Sequence, residues 1–192
     1  MFNKLCIIGV GLIGGSIARA ARKNNLCTEI SAYGREQDRA NLLRAQELKV
    51  VDSYSFNLTA AIAGADCVVI ATPVGAMSGI FKQLAPDWSD KTLYMDAGST
   101  KGGVVAAVQA IFGYVPANFI PAHPIAGAES SGVEAALDDL FQGRRLILTP
   151  TEQADPAYLQ SAQDFWQAIG SDVSLMDIQQ HDAILAATSH LP

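Results

Sequence analysis

K-L-C-I-I-G-V-G-L-I-G-G-S-I-A-R, residues 4–19, joins an apolar run to Gly9, Gly11 and Gly14 at the spacing G-x-G-x-x-G. The order predicts a strand, a tight turn and the start of a helix. Gly9 allows the turn, Gly11 lets the backbone approach a pyrophosphate, and Gly14 lets the helix pack close to the strand. Leu12 and Ile13 lie between the second and third glycines, at the helix start, where free N–H groups and the helix dipole favour negative charge. Gly9, Gly11, Leu12, Ile13 and Gly14 are therefore the expected dinucleotide contacts. The run Ile13, Ile17, Ala18, Ala21 continues as a helix, and a second strand ends about 20 residues on, at Tyr33. A signal-peptide core over residues 5–18 is the competing reading, and the glycines inside it argue against it. A glycine-rich turn without a ligand is the other alternative, and the strand and helix on either side favour dinucleotide binding over it.

The chain has 192 residues, 49% of them hydrophobic, enough for one large domain or one domain and part of a second. A net charge of −6 argues against a nucleic-acid partner, whose phosphates demand a basic face. No apolar run approaches the length of a membrane span. Cys6 and Cys67 sit in apolar runs and Cys27 near a turn, without metal-ligand spacing or an even count for a disulfide frame. Cys6 and Cys67 read as small buried hydrophobes in a reducing cytoplasm. No metal site is expected, because the three histidines lack suitably spaced partners.

Along the chain, a strand over 29–33 ends in Tyr33-Gly34-Arg35. An NAD site commonly carries Asp or Glu there. Arg35 would instead bind a 2′-phosphate, so Gly34 and Arg35 point to NADP, with NAD as the alternative and Arg39 as a further cation on the same face. A helix over 36–47, a short strand near Val50 and Val51, a helix over 58–63 and a buried strand over 66–71 follow. That strand runs into Thr72-Pro73-Val74, which is expected to meet the nicotinamide half of the cofactor. A helix over 75–84 and a strand over 92–95 lead to D-A-G-S-T-K, residues 96–101, before a helix over 102–111. Ser99 is expected to cap that helix. Lys101 opposes the dipole of the first turn, which suggests an anion or an acidic neighbour.

A strand beginning at Asn118 is expected to break at Pro121, with His123 on the loop just past it, at the same sheet edge as Gly11, Pro73 and Ser99. Further strands over 144–149 and 173–176 flank an amphipathic helix over 155–169 capped by Gly170. A last helix covers 177–190. His181 and His190 are nine residues apart, on opposite helical faces, so one of them can line a site but not both. The fold class is α/β, a Rossmann-type, doubly wound, mostly parallel sheet with helices on both faces.

G-V-G-L-I-G-G-S from Gly9, D-A-G-S-T-K from Asp96, H-P-I-A-G-A-E-S-S-G from His123, L-F-Q-G-R from Leu140, and H-D…S-H-L-P from His181 to Pro192 occur in this order. In these motifs the chain resembles the prephenate and arogenate dehydrogenases of tyrosine biosynthesis. The resemblance implies an oxidative decarboxylation of prephenate or arogenate, with hydride passing to the nicotinamide. His123 then matches the catalytic histidine that takes the hydroxyl proton, and Ser99 the serine near that hydroxyl and the nicotinamide. Glu129 and His190 match residues at or near the substrate. The resemblance also implies a C-terminal helical domain that carries the dimer contacts of a homodimer and a substrate-carboxylate arginine. The division it suggests is a dinucleotide-binding domain over 1–176 and, over 177–192, the start of a helix leading to that domain, which is absent here. Two alternatives stay open: another NADP-dependent reductase of the β-hydroxyacid or imine-reducing kind, and a non-catalytic dinucleotide sensor.

Overall fold

Side chains along the central strands alternate between two separate cores, as a parallel sheet covered on both faces requires. A computed structural model describes residues 1–127 and 131–189, with the backbone alone for 188 and 189. In β1 (Phe2–Ile8), Leu5 and Ile7 face one core and Cys6 and Ile8 the other. In β4 (Cys67–Ile70), Cys67 and Val69 face the first and Val68 and Ile70 the second. The first core is closed by α1 (Leu12–Lys23), α2 (Arg39–Glu47) and α6 (Pro156–Ala168), the second by α3 (Leu58–Ile62), α4 (Val74–Leu84) and α5 (Gly102–Phe112). Cys6 and Cys67 pack as small hydrophobes: burial pushes the Cys6 thiol up to about 11 and the Cys67 thiol well above its usual range.

With β2 (Cys27–Tyr33), β3 (Ser53–Ser55), β5 (Leu93–Asp96) and β6 (Phe119–Ile120), the main sheet has the all-parallel order β3-β2-β1-β4-β5-β6. The order reverses between β1 and β4, which is where such a sheet opens a crevice. A second sheet of three strands, not anticipated as a separate unit, joins β7 (Ala122–Pro124) antiparallel to β8 (Arg145–Leu148), and β8 parallel to β9 (Asp172–Leu175). The last helix, α7 (Ile178–Ser189), begins at Asp177, whose Oδ1 accepts from the Gln179 and Gln180 N–H groups at 2.8 and 3.2 Å.

Several sequence expectations are corrected. Val50 and Val51 are buried but not in a strand, because both N–H groups close the end of α2 on the Ala45 carbonyl, and pairing starts only at Ser53. The helix expected over 36–47 opens as a 3-10 turn, Glu36–Asp38, before α2 begins at Arg39. Pro121 divides one expected strand into two: Phe119–Ile120 stays in the main sheet and Ala122–Pro124 enters the second. His123 therefore stands within a strand, opposite Ile147, and not on a loop beyond one.

Candidate active site

The first cavity, of 320 Å³, lies at the switch point and is lined by Gly9, Gly11, Gly34, Arg35, Thr72 and Pro73, among others. Gly9 has φ +95°, a conformation that only glycine adopts without strain, and its N–H donates to the Tyr33 carbonyl at 3.0 Å. Gly11 is the N-cap of α1, and a methyl group placed on it would meet nothing within 4 Å, so its backbone borders open space. Leu12 and Ile13 form the first turn of α1, where N–H groups lack intrahelical acceptors. Gly14 has the packing role expected of it: a methyl group there would collide with the Gly9 carbonyl and stand 2.9 Å from Ile7 Cγ2. Thr72 Oγ1 is buried and has no hydrogen-bond partner among the described residues. An open cradle at a helix N-terminus beside an unpartnered hydroxyl fits a dinucleotide. Val74 opens α4 and does not line this cavity; a methyl group on Gly98 would come within 2.9 Å of its Cγ2, so it packs against the turn that carries Ser99.

At the far end of the cavity Arg35 already has a partner. Its Nε and Nη2 donate to Asp38 Oδ2 and Oδ1 at 2.9 and 3.1 Å, so a carboxylate does stand where the sequence suggested only a cation. Arg39 points elsewhere: it pairs with Glu36 and its guanidinium lies 4.5 Å over the Phe56 ring.

The second cavity, of 730 Å³, is lined by Ser99, Thr100, His123, Gly127, Asp182 and Leu185, among others. Ser99 is exposed and does not cap α5. The N-cap position is Lys101, and its N–H and that of Gly102 donate to Asp182 Oδ1 and Oδ2 at 2.9 and 2.8 Å, a cap supplied from α7 across 81 and 80 residues. Lys101 is wholly buried and has the acidic neighbour its sequence position called for, Asp96. Its Nζ also donates to the Ala122 carbonyl at 2.7 Å.

His123 is half-buried. Its Nδ1 lies 2.9 Å from Nε2 of the wholly buried His181, whose Nδ1 lies 2.7 Å from Asp182 Oδ1. Burial, with the Lys101 ammonium and His181 adding to it, pulls the His123 pKa from 6.5 down to about 4, against an opposing pull from Asp182. The imidazole is thus neutral at physiological pH. Burial would raise the pKa of Asp182, but the N–H bonds from Lys101 and Gly102 and the bond to His181 outweigh it and hold the carboxyl below its usual range. For Lys101 burial lowers the pKa, opposed by Asp96 and Asp182.

Ser99 and His123 thus line one cavity, and Gly9, Gly11, Gly34, Arg35, Thr72 and Pro73 line the other. Glu129 and His190 lie outside the described residues. Among the described residues no group of three or more His, Cys, Asp or Glu side chains could hold a metal ion, and no helix is long and apolar enough to cross a membrane. Sequence reasoning missed three residues. Asn41 bridges the glycine turn to a distant loop, donating to the Val10 carbonyl and accepting from the Val133 N–H at 2.9 Å. His181 was offered only as one of two histidines of which one could line a site, with no partner named, and Asp182 only as part of the H-D pair.

The sequence profile described as "Prephenate dehydrogenase, nucleotide-binding domain" matches residues 17–175. A cyclohexadienyl dehydrogenase of Zymomonas mobilis is 34% identical over 193 residues, covering all of this chain and 64% of that protein. A prephenate dehydrogenase of Lactococcus lactis is 33% identical over 191 residues, covering 99% of this chain and 51% of that protein. Among solved structures, prephenate dehydrogenase from A. aeolicus in complex with hydroxyphenyl propionate and NAD+ superposes with a TM-score of 0.87 at 31% identity, covering 96% of this chain and 63% of that one. The chain thus spans about half to two thirds of the length of these relatives.

Proposed function

This chain belongs to the prephenate dehydrogenase family, and from that premise we propose that it serves the oxidative decarboxylation of prephenate or arogenate, with NADP as the preferred hydride acceptor. The observation that carries the reading is a half-buried His123 sharing a cavity with Ser99, in a chain whose switch-point cleft fits a dinucleotide.

The bound nicotinamide supplies the hydride acceptor. The N-terminus of α1 would hold the pyrophosphate, with Gly11 leaving room for it, and Thr72 and Pro73 would border the nicotinamide half. In the second cavity His123 accepts the proton of the substrate hydroxyl as hydride leaves the ring carbon that bears it. Ser99 hydrogen-bonds that hydroxyl and orients it. Loss of carbon dioxide then makes the ring aromatic, which supplies the driving force. An imidazole with its pKa lowered to about 4 is unprotonated, and so available as an acceptor, over the whole physiological range, as a weaker base than one whose pKa lies near the working pH. Glu129 and His190, carried over from the family motifs, complete the proposed substrate contacts. The free thiols Cys6, Cys27 and Cys67 support a cytoplasmic setting.

Arg35 supports NADP because its guanidinium can meet a 2′-phosphate at the cost of its bond to Asp38, an exposed pair that solvent screens. Calorimetric titration of the chain with NADP and NAD, followed by steady-state assays of prephenate and arogenate with both cofactors, tests the reading. Turnover of neither substrate by the whole enzyme, or equal affinity for the two cofactors, would count against the corresponding part.

A further inference from the structure

We propose that His181 and Asp182 are a positioning pair that holds His123 in the tautomer protonated at Nδ1, so that the Nε2 lone pair is the one offered to the substrate hydroxyl. The proposal rests on the reading of His123 as general base and deepens it.

The assignment runs inward from Asp182. This carboxylate accepts the N–H groups of Lys101 and Gly102 at 2.9 and 2.8 Å, an anion at a helix N-terminus, and has no proton to give. Its 2.7 Å contact with His181 Nδ1 therefore needs an N–H on His181. A neutral His181 then carries its lone pair on Nε2. That nitrogen lies 2.9 Å from His123 Nδ1, and the contact needs a proton, which His123 must supply. His123 is left with a bare Nε2. A doubly protonated His181 would reverse the last link and put the proton of His123 on Nε2.

The same pair sets orientation. Asp182 caps α5, directly after the turn bearing Ser99, while His181 beside it bonds the strand bearing His123, so one dipeptide of α7 contacts both segments that line the cavity. When His123 Nε2 takes a proton, Nδ1–H stays aimed at His181, and the Asp182 charge at the end of the chain favours the imidazolium. No second proton has to move. The titratable groups facing His123 are Lys101, His181 and Asp182, and Asp96 pairs with Lys101.

Imidazole nitrogen NMR on this 192-residue chain reads the tautomer directly, and its three histidines can be assigned by single replacement. The expected spectrum at neutral pH shows His123 with a pyrrole-type Nδ1 and a pyridine-type Nε2. His181→Phe keeps a planar ring but removes the acceptor, and the tautomer preference of His123 should drop by about tenfold, the worth of one buried hydrogen bond. His181→Gln, whose amide oxygen can accept, should restore part of it. A wild-type His123 protonated at Nε2, or one whose spectrum is unchanged in His181→Phe, overturns the proposal; should His181→Phe fail to fold, the wild-type spectrum decides alone. These spectra involve no turnover. An Nδ1-protonated His123 in an enzyme that works equally well as His123→Asn would remove the base role and leave the positioning pair intact.

Discussion

Lys101 and Asp96, five residues apart across the turn between β5 and α5, form an ion pair with both side chains wholly out of solvent. Together they grip both backbone polar groups of one residue of another strand: Lys101 Nζ donates to the Ala122 carbonyl at 2.7 Å, and Asp96 Oδ1 accepts the Ala122 N–H at 3.2 Å. His123 is the next residue, so its backbone is anchored by a charge pair that belongs to the Ser99 turn. Lys101→Met would leave the carboxylate buried and unpaired and should cost about 3–5 kcal/mol in a denaturant titration. Adding Asp96→Asn should recover a good part, because a neutral amide needs no counter-ion. Unchanged stability in Lys101→Met would show that the pair contributes nothing net.

Gly11 and Gly14 should separate binding from folding. At Gly11 a methyl group meets nothing and the backbone has φ −96°, so Gly11→Ala should fold with a stability change of less than about 1 kcal/mol. The methyl group would occupy the proposed phosphate cradle, and NADP affinity should fall by more than about tenfold, since the oxygens lose their N–H donors. Gly14→Ala drives the helix away from Gly9 and Ile7, and should destabilise by about 1–3 kcal/mol as well as abolish binding. Thermal melts with and without NADP distinguish the two patterns.

Cofactor choice depends on a bond that must break. Arg35→Ala should weaken NADP by about 1.5–3 kcal/mol and leave NAD nearly untouched. Asp38→Ala should act the other way: with its carboxylate gone, Arg35 is free and no like charge faces the 2′-phosphate, so NADP should tighten by up to about 1 kcal/mol. Calorimetry on both variants is the check, and a loss of NADP affinity in Asp38→Ala would mean that the carboxylate serves to aim the guanidinium.

Replacing His123 by Asn in the whole enzyme should lower turnover by roughly 10²–10⁴, the usual contribution of a positioned base, while NADP affinity holds. Because the folded imidazole has its pKa lowered from 6.5 to about 4, the acid limb of the rate profile should lie well below that of an ordinary histidine, with activity lost as pH falls through about 4. The same shift has a consequence for stability. Between about 4 and 6.5 the unfolded chain binds more protons at this residue than the folded one, so stability falls as pH is lowered across that window. His123→Asn should lack that part of the slope in urea titrations repeated from pH 7 to pH 4. Parental turnover with the same acid limb would make His123 structural.

Features legible from the sequence were those set within one turn or one strand. The G-x-G-x-x-G spacing marked the tight turn and the close helix packing because a positive φ at Gly9 and close contacts at Gly14 are local demands on residue type. Runs such as Cys67–Ile70 announced a sheet covered on both faces, and a lysine in the first turn of a helix announced its acidic neighbour. Burial and long-range pairing decided the rest. Val50 and Val51 look like a strand yet spend their N–H groups on the end of α2. Arg35 looks like a free cation until the 3-10 turn brings Asp38 against it. Ser99 looks like the cap of α5, but Asp182 takes that place from 80 residues away, and His181 reaches His123 across 58. Side-chain propensity carries information over a few residues. Which helix face is pressed against which strand end follows only from burying the whole apolar surface at once, and that packing is what turned an isolated histidine into the end of a three-residue hydrogen-bonded chain.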